Sequence, residues 1–383
     1  MLPYIAGSCD RLGAKHSYNM TLEPFNEKDM AFSLKQQVKE IHAVYYGTLY
    51  ITEFNVWYWE GGLFKLPIEL TPFIKIKKVV TGHKHFCILL DNGNLYCFRC
   101  NEDKQLGLEI TLGTEYGELD LKEKLNKPFV YFNVSDVHAL YYGTIFMVNN
   151  IVYAMGRSSQ YQFGINVDKV PSYILELPKE LSLVGNTILK YITSSHTIML
   201  LSSDGIIYAT GTNLNILTAP YEGFKALEPF YSNGWKIRNA WSSATGTFIQ
   251  LVTGEVYYGG HNTDHACFGV SNANETISFS LCKFLSHKVI YDIIGLYSLI
   301  AICEDGVYVC GNSYCRQLDN DNVGCVKEPI KHELLTKLVK QGAKLTSSFR
   351  VMTVYFPVDK TKIFKRKLYN NQGYNDLNIH CLT

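Results

Sequence analysis

Cys97 and Cys100 form a C-x-x-C within "YCFRC" (Tyr96–Cys100), and His83, His85 and Cys87 lie just upstream in "GHKHFC". Thiolate and imidazole are the usual ligands of zinc, and a close cysteine pair can also be a redox centre. A second cluster, "HNTDHACFG", holds His261, Asp264, His265 and Cys267, residue types from which a nucleophile and its base could be drawn. Neither cluster carries the rest of its chemistry. A structural zinc site needs a second complete ligand pair, and none accompanies the first. A chelating C-x-x-C also needs a turn, whereas Tyr96–Phe98 reads as a strand, along which side chains alternate between faces. The second cluster has no third group to orient a base, and no phosphate-binding loop, nucleophile elbow or H-E-x-x-H occurs in the chain. The expectation is therefore no catalytic residue, no metal and no cofactor. The cysteines, including Cys310 and Cys315 of "CGNSYC", read as small buried hydrophobes, and the His261–Cys267 segment as a solvated loop.

The elements that hold these residues are repeated. Tyr-x-x-Gly preceded by an apolar residue recurs as Tyr153 with Gly156, Tyr208 with Gly211, Tyr257 with Gly260 and Tyr308 with Gly311, and Tyr96 stands at the same point of its own copy. The copies recur at roughly 50-residue intervals, the range of propeller blades. Degraded copies surround Trp57 and Phe364. Each copy follows an apolar strand and a short Gly-containing turn, as in "FCILLDNG", "TIMLLSSDG" and "LIAICEDG", which is the pattern of a hairpin. Another short apolar strand lies further upstream. Seven such units begin near Val38, Ile76, Val134, Leu189, Ile237, Val289 and Ala343. Downstream, a Gln and then Leu or Phe recur at one offset, ending at Gly107 in "RCNEDKQLG" and at Gly164 in "GRSSQYQFG".

A small antiparallel sheet cannot bury both faces by itself, so neighbouring units must stack, and stacking into a ring leaves only short edges. The prediction is an all-β chain: one seven-bladed β-propeller of four-stranded antiparallel blades spanning 1–383. Residues 368–383 read as a polar tail.

Composition fits. The 383 residues are 47% hydrophobic, ample for a core, and 27 Tyr and 20 Phe against 11 Pro favour strands. A net charge of +1 provides no field to concentrate nucleic acid or anionic lipid. No apolar run is long enough for a membrane span, and the first residues lack the charged and apolar regions of a secretory signal. Eleven Cys without framework spacing suit reduced thiols in an intracellular compartment, cytoplasmic or nuclear.

The repeat resembles that of the regulator-of-chromosome-condensation family. That unit runs strand, Gly-x-x-His, apolar strand, Asp-Gly, aromatic-x-Trp-Gly, then Gln-Leu-Gly. "GHKHFCILLDNGNLYCF…QLG" (Gly82–Gly107) is the nearest copy, followed by "SSHTIMLLSSDGIIYATG" (Ser194–Gly211). "PYIAGSCDRLG" (Pro3–Gly13) is then a repeat tail without its head, with Tyr4 and Gly7 at the repeat positions, and "KLTSSFRVMTVYFPVDK" (Lys344–Lys360) is a head with a poor tail. The resemblance implies that the N-terminal strand closes the ring against the blade begun at Ala343. WD-repeat and kelch propellers fit less well, lacking Trp-Asp endings and repeated Gly-Gly respectively.

Function follows from the resemblance in two versions. One is a non-catalytic interaction propeller whose loops bind other proteins. The alternative is guanine-nucleotide exchange on a Ran-type small GTPase with a chromatin-linked role, which requires preferential binding of the nucleotide-free GTPase rather than bond chemistry. The family's Gly-x-x-His position is matched by His85 and, with Thr193 replacing Gly, by His196. His83, Lys84, His85 and His196 are accordingly the expected partner-binding residues. Protein partners are expected, with neither direct nucleic-acid binding nor membrane attachment.

Overall fold

The computed structural model describes residues 3–7, 9–12, 20–31, 33–34, 37–44, 47–82, 85–106, 116–118, 133–149, 151–158, 163, 175–176, 188–193, 197–211, 221–243, 246–262, 275–295, 298–313, 318, 325–347 and 351–357. It contains seven four-stranded antiparallel sheets arranged as the blades of a propeller. Blade one comprises Glu40–Val44, Gly47–Ile51, Asn55–Trp59 and Leu63–Glu69. Blade two comprises Ile76–Thr81, His85–Leu90, Leu95–Arg99 and Tyr116–Glu118, and blade three Val134–Ala139, Gly143–Val148, Ile151–Gly156 and Leu175–Glu176. Blade four runs Ile188–Thr193, Thr197–Ser202, Ile207–Gly211, Tyr221–Ala226, and blade five Ile237–Ser242, Gly246–Leu251, Val256–Asn262, Glu275–Leu281. Blade six runs Ile290–Ile294, Ser298–Cys303, Gly306–Asn312, Cys325–Lys331.

Blade seven is composite. Lys344–Ser347 and Val351–Tyr355 form its first two strands, and Tyr4–Gly7 pairs with the second of them, Tyr4 opposite Val354 and Gly7 opposite Val351. Met20–Pro24 then pairs outside Tyr4–Gly7. The N-terminus thus closes the ring as expected, but with two strands rather than one. The reason is geometric: blade seven has two C-terminal strands, and a single addition would leave a three-stranded edge.

Burial explains the stacking. Among the described residues seven apolar clusters occur, each spanning a seam between neighbouring blades. The second strands are the most buried: His85–Leu90, Thr197–Ser202 and Gly246–Leu251 are buried at every residue. Both their faces meet a blade, so they read as continuous apolar runs rather than alternating ones. The repeat tyrosines pack in the seams as well. Tyr153 is buried in the seam of blades two and three, and Tyr96, Tyr208, Tyr257 and Tyr308 pack half-buried against the corresponding clusters of their own blades.

The third strand ends in left-handed backbone. Gly156, Gly211, Gly260 and Gly311 have φ of 111°, 96°, 152° and 99°. A Cβ on Gly156 would come within 2.4 Å of the Tyr142 carbonyl oxygen, so the position calls for glycine on steric grounds as well.

Three features depart from the sequence pattern. Downstream of the copy that ends at Gly107, where the repeat pattern gives no strand, Tyr116–Glu118 forms the outermost strand of blade two. An amphipathic helix, Glu333–Lys340, connects blades six and seven, with His332 Nδ1 accepting from Leu335 N at its start. Leu335 and Leu338 bury in the seam, and Thr336 Oγ1 accepts from Val307 N at 2.9 Å. Blade five's third strand also continues through His261 and Asn262, paired with Thr276 and Glu275. The remainder of that cluster, Asp264, His265 and Cys267, lies outside the described residues, as do Cys315, the copy around Phe364 and the tail 368–383.

Candidate functional site

The antiparallel blade sets up two opposite faces. One carries the loops between first and second strands. The other carries the hairpin turns between second and third strands, together with the starts of the first strands. Of the sequence-predicted binding residues, His85 is among the described ones. His83 and Lys84 stand between Ile76–Thr81 and His85–Leu90, and His196 between Ile188–Thr193 and Thr197–Ser202; all three lie outside the described residues.

His85 is 2% exposed. Its Nε2 lies 2.9 Å from Thr144 Oγ1 of blade three, and Thr144 Oγ1 donates to the Gln105 carbonyl at 3.0 Å. With the Thr144 proton committed to Gln105, the His85 proton sits on Nε2 and is donated to Thr144. Gly82 lets this happen. Its N–H bonds the His85 carbonyl at 2.9 Å, and a Cβ there would lie 2.2 Å from His85 Cε1. Gln105 is buried, its Oε1 accepting from Asp103 N, and Leu106 is buried in the same seam. His85, Gln105 and Leu106 are therefore held inside, joining blade two to blade three. They fix the base of the loop carrying His83 and Lys84 and do not face solvent. Gly107 and Gly164 lie outside the described residues.

Cys87 and Cys97 face each other across the second and third strands of blade two, both fully buried thiols. Burial pushes the Cys97 thiol well up, and its bond with Cys87 adds to this. Cys100 follows the strand and is half-buried. Among the described residues no three His, Cys, Asp or Glu side chains gather as a metal-binding group.

The third strand of blade two ends differently from its relatives. Arg99 stands where they have glycine, with φ of 79°. Its guanidinium pairs with Glu60 of blade one and lies 5.8 Å from the Tyr58 ring centre. Glu60 also accepts from Tyr58 OH at 2.9 Å and lies 3.9 Å from Arg11, which follows the closing strand. An arginine in left-handed backbone costs about 1–3 kcal/mol and persists only where surrounding contacts hold it. Here an interblade ion pair holds it.

The axis contains a feature the sequence reading missed. First strands of neighbouring blades approach one another around the ring, so they line its centre. One register position is equivalent in all seven: Glu40, Lys78, Asp136, Lys190, Asn239, Asp292 and Lys344. Their charges alternate around the ring, except at Asn239. A closed ring of seven cannot alternate throughout, and an acid at 239 would adjoin Asp292 while a lysine would adjoin Lys190. An amide there avoids like-charge neighbours.

Lys78 Nζ bonds Asp136 Oδ1 at 2.7 Å, and His138 Nε2 bonds Asp136 Oδ2 at 3.0 Å. Burial pushes the Asp136 carboxyl up, but the bonds from His138 and Lys78 outweigh it and hold the group well below the usual carboxylate range. Burial lowers His138 despite the Asp136 bond. Lys190 Nζ donates to Asn239 Oδ1 at 2.8 Å and to the Ala240 carbonyl at 2.7 Å. Asp292 is open to water yet surrounded by blades; burial raises its carboxyl against the pull of Lys190 and Lys344. The signal for this collar was present in the sequence, one charged residue near the start of each first strand, but it becomes a pattern only when the seven registers are superposed.

Comparison with known proteins agrees with the geometry. Residues 76–105, most of blade two, match the family model of the regulator of chromosome condensation (RCC1) repeat. No curated protein matches the sequence. Among solved structures, human WBSCR16 is similar with a TM-score of 0.69 at 14% identity, covering 92% of this chain and 99% of that one. Prp20p from Saccharomyces cerevisiae, described together with its binding to Gsp1p and histones, gives a TM-score of 0.63 at 13% identity over 96% of this chain and 94% of its own. The same yeast RCC1 protein bound to Kap60 is similar to the same degree, with a TM-score of 0.63 and 14% identity.

Proposed function

We propose that this chain, a divergent RCC1-like propeller, is a non-catalytic protein-interaction module. The observation that supports this reading is where the repeat signature goes. His85, Gln105 and Leu106 are consumed in a seam, which fixes the loop ends above them. Loops held on a stacked frame present side chains at defined positions, which suits recognition. The binding residues are then His83, Lys84 and His196 on the first–second loop face, with His85 acting beneath them as the anchor. Imidazoles there would donate, accept or meet carboxylates, and give contacts sensitive to pH near neutrality. The whole chain works as one propeller in this reading, within a reducing compartment of the cell.

A second reading is favoured by one likeness. Prp20p shares the fold and is described as binding Gsp1p. On that basis the same face would engage a Ran-type GTPase and accelerate its nucleotide release by preferring the empty state.

One experiment tests both. The triple variant His83→Ala, Lys84→Ala, His196→Ala leaves the His85–Thr144 anchor intact and should keep the melting temperature within about 2 °C of wild type, as for surface changes. Stable capture of a protein by the wild type and its loss in the variant supports the module. Faster release of labelled GDP from a Ran-type GTPase, lost in the variant, supports exchange. A partner bound equally by both proteins overturns the assignment to this face.

A further inference from the structure

We infer that the opposite face carries a second docking site, at the axial ends of the first strands, that accepts an acidic peptide segment bearing a bulky apolar side chain. The inference rests on the reading of the chain as a protein-binding propeller, but uses different residues on a different face.

The backbone makes the first argument. The first strands of blades two to six each break register near their start, between Ile76 and Lys78, Val134 and Asp136, Ile188 and Lys190, Ile237 and Asn239, and Ile290 and Asp292. Each break leaves one residue unpaired: Lys77, Ser135, Leu189, Arg238 and Tyr291. All five are exposed. A bulge adds a residue to one strand and re-aims its side chain. Five bulges at one register, in five successive blades, aim five side chains at the same end of the axis.

Their chemistry makes the second argument. Leu189 is 64% exposed and Tyr291 61%, both large apolar groups left in water beside the axis. Lys77 and Arg238 carry two positive charges, and the set contains no acid. Neither cation is neutralised by a carboxylate among the described residues. Lys77 Nζ bonds the Ser135 carbonyl at 2.7 Å, and Arg238 Nη2 bonds the Val252 carbonyl at 2.8 Å. The collar beneath is balanced, with three acids and three lysines, so it does not offset them. Of the carboxylates at the nearby hairpin turns, Asp305 pairs with Lys288 at 2.6 Å, Asp91 accepts from Lys75 N at 2.9 Å, and Asp204 and Glu255 bond Ser202 and Thr253; Glu304 is exposed, and among the described residues none of these acids forms an ion pair with Lys77 or Arg238. Two cations held in place on backbone carbonyls, flanking two exposed apolar side chains, complement a segment with acids on either side of an apolar residue. A nucleic-acid backbone fits less well, because two cations cannot track its repeated phosphates.

The test uses the full chain and three fluorescein-labelled nonapeptides: one with Glu flanking a central Trp, one with Lys in place of Glu, and one with Ser in place of Trp. Fluorescence anisotropy should show saturable binding of the first alone, weakened at least tenfold by Lys77→Glu with Arg238→Glu, and by Leu189→Ser with Tyr291→Ser. These positions are exposed, and the charge variants lose only the side-chain bonds to the Ser135 and Val252 carbonyls; circular dichroism verifies that all the variants stay folded. His83→Ala with Lys84→Ala, on the opposite face, should leave peptide binding unchanged. The inference is overturned if the Glu–Trp peptide does not saturate by about 1 mM, the weakest range of specific binding. It is likewise overturned if the Lys peptide binds as well, if only the opposite-face variant loses binding, or if a single-stranded decanucleotide displaces the peptide. Loss of this site would leave capture through the first–second loops standing, so the two readings fail separately.

Discussion

Blade two and blade seven have the same four-stranded plan and reach it by opposite routes. Blade two is built from one stretch, 76–118, and its seam to blade three is fastened by His85, Thr144 and Gln105. Blade seven is assembled from both ends of the chain, and its seam to blade one uses hydroxyls. Thr353 Oγ1 donates to the Ile41 carbonyl at 2.8 Å, Thr346 Oγ1 accepts from Ala43 N at 2.9 Å, and the two threonines lie 2.7 Å apart. Just past the closing strand, the Arg11 carbonyl accepts from Thr48 at 2.9 Å and the Leu12 carbonyl from Tyr50. The seam is thus an architectural requirement, and the chemistry that fastens it is interchangeable. What differs is the cost of bringing the partners together. Residues 41 and 353 must meet across almost the whole chain, and that closure is paid in entropy before any contact returns it.

The largest effect expected from this comparison comes from removing residues 1–24. Both outer strands of blade seven go, with buried Ile5, Leu12 and Leu22. Each such side chain contributes roughly 1.5–3 kcal/mol, so the sum approaches the ~5–15 kcal/mol that holds a typical domain. The truncated chain should lose its cooperative melting transition by circular dichroism. A transition retained at the wild-type temperature would show that blade seven does not need its N-terminal strands.

A finer break compares the two fastenings directly. Thr144→Val should cost about 2–3 kcal/mol, because it strands the buried His85 N–H as well as the Gln105 carbonyl. Thr353→Val should cost about 1 kcal/mol: it removes the donor to the Ile41 carbonyl, but the Thr346 hydroxyl it releases is half-exposed and can turn to water while keeping its bond from Ala43 N. Urea unfolding of both variants gives the two numbers. A larger loss at Thr353 would mean that the closing seam is the weak point of the ring.

The smallest effect is one of pH, and it lies in the collar that both blades share. His138 has a folded pKa below its ordinary 6.5, so the folded state resists its proton. Its contribution is complete above about pH 6.5 and is lost as pH falls toward the folded value. Asp136, also depressed, adds a second loss below about pH 4. Asp292 runs the other way: its raised carboxyl carries a cost at neutral pH that is relieved as pH falls. Wild type should therefore lose melting temperature between pH 7 and 5, and His138→Asn should flatten that interval. An unchanged slope would place the sensitivity outside the collar.

Much of this molecule follows from local sequence. Apolar runs, glycine turns and Tyr-x-x-Gly determine three strands per blade, because a strand, a turn and the next strand are neighbours in the chain and state their period within a dozen residues. Seven recurrences then favour a ring, and the resemblance of the two ends to the tail and head of one family repeat implies that the N-terminus closes it. The tertiary structure decided the rest. The outermost strands Tyr116–Glu118 and Leu175–Glu176 are too short to show a period, and exist only where a third strand offers its edge. His85 reads as a loop residue until blade three places Thr144 beside it and buries it. Arg99 occupies a glycine position because Glu60, a blade away, compensates its backbone. The alternating collar needs seven first strands brought to one axis, where a charge separated from its partner by about fifty residues of chain becomes a hydrogen-bonding neighbour. Local sequence encodes what adjacent residues do to one another; seams, strain and electrostatics at the axis depend on distances that only the closed ring creates.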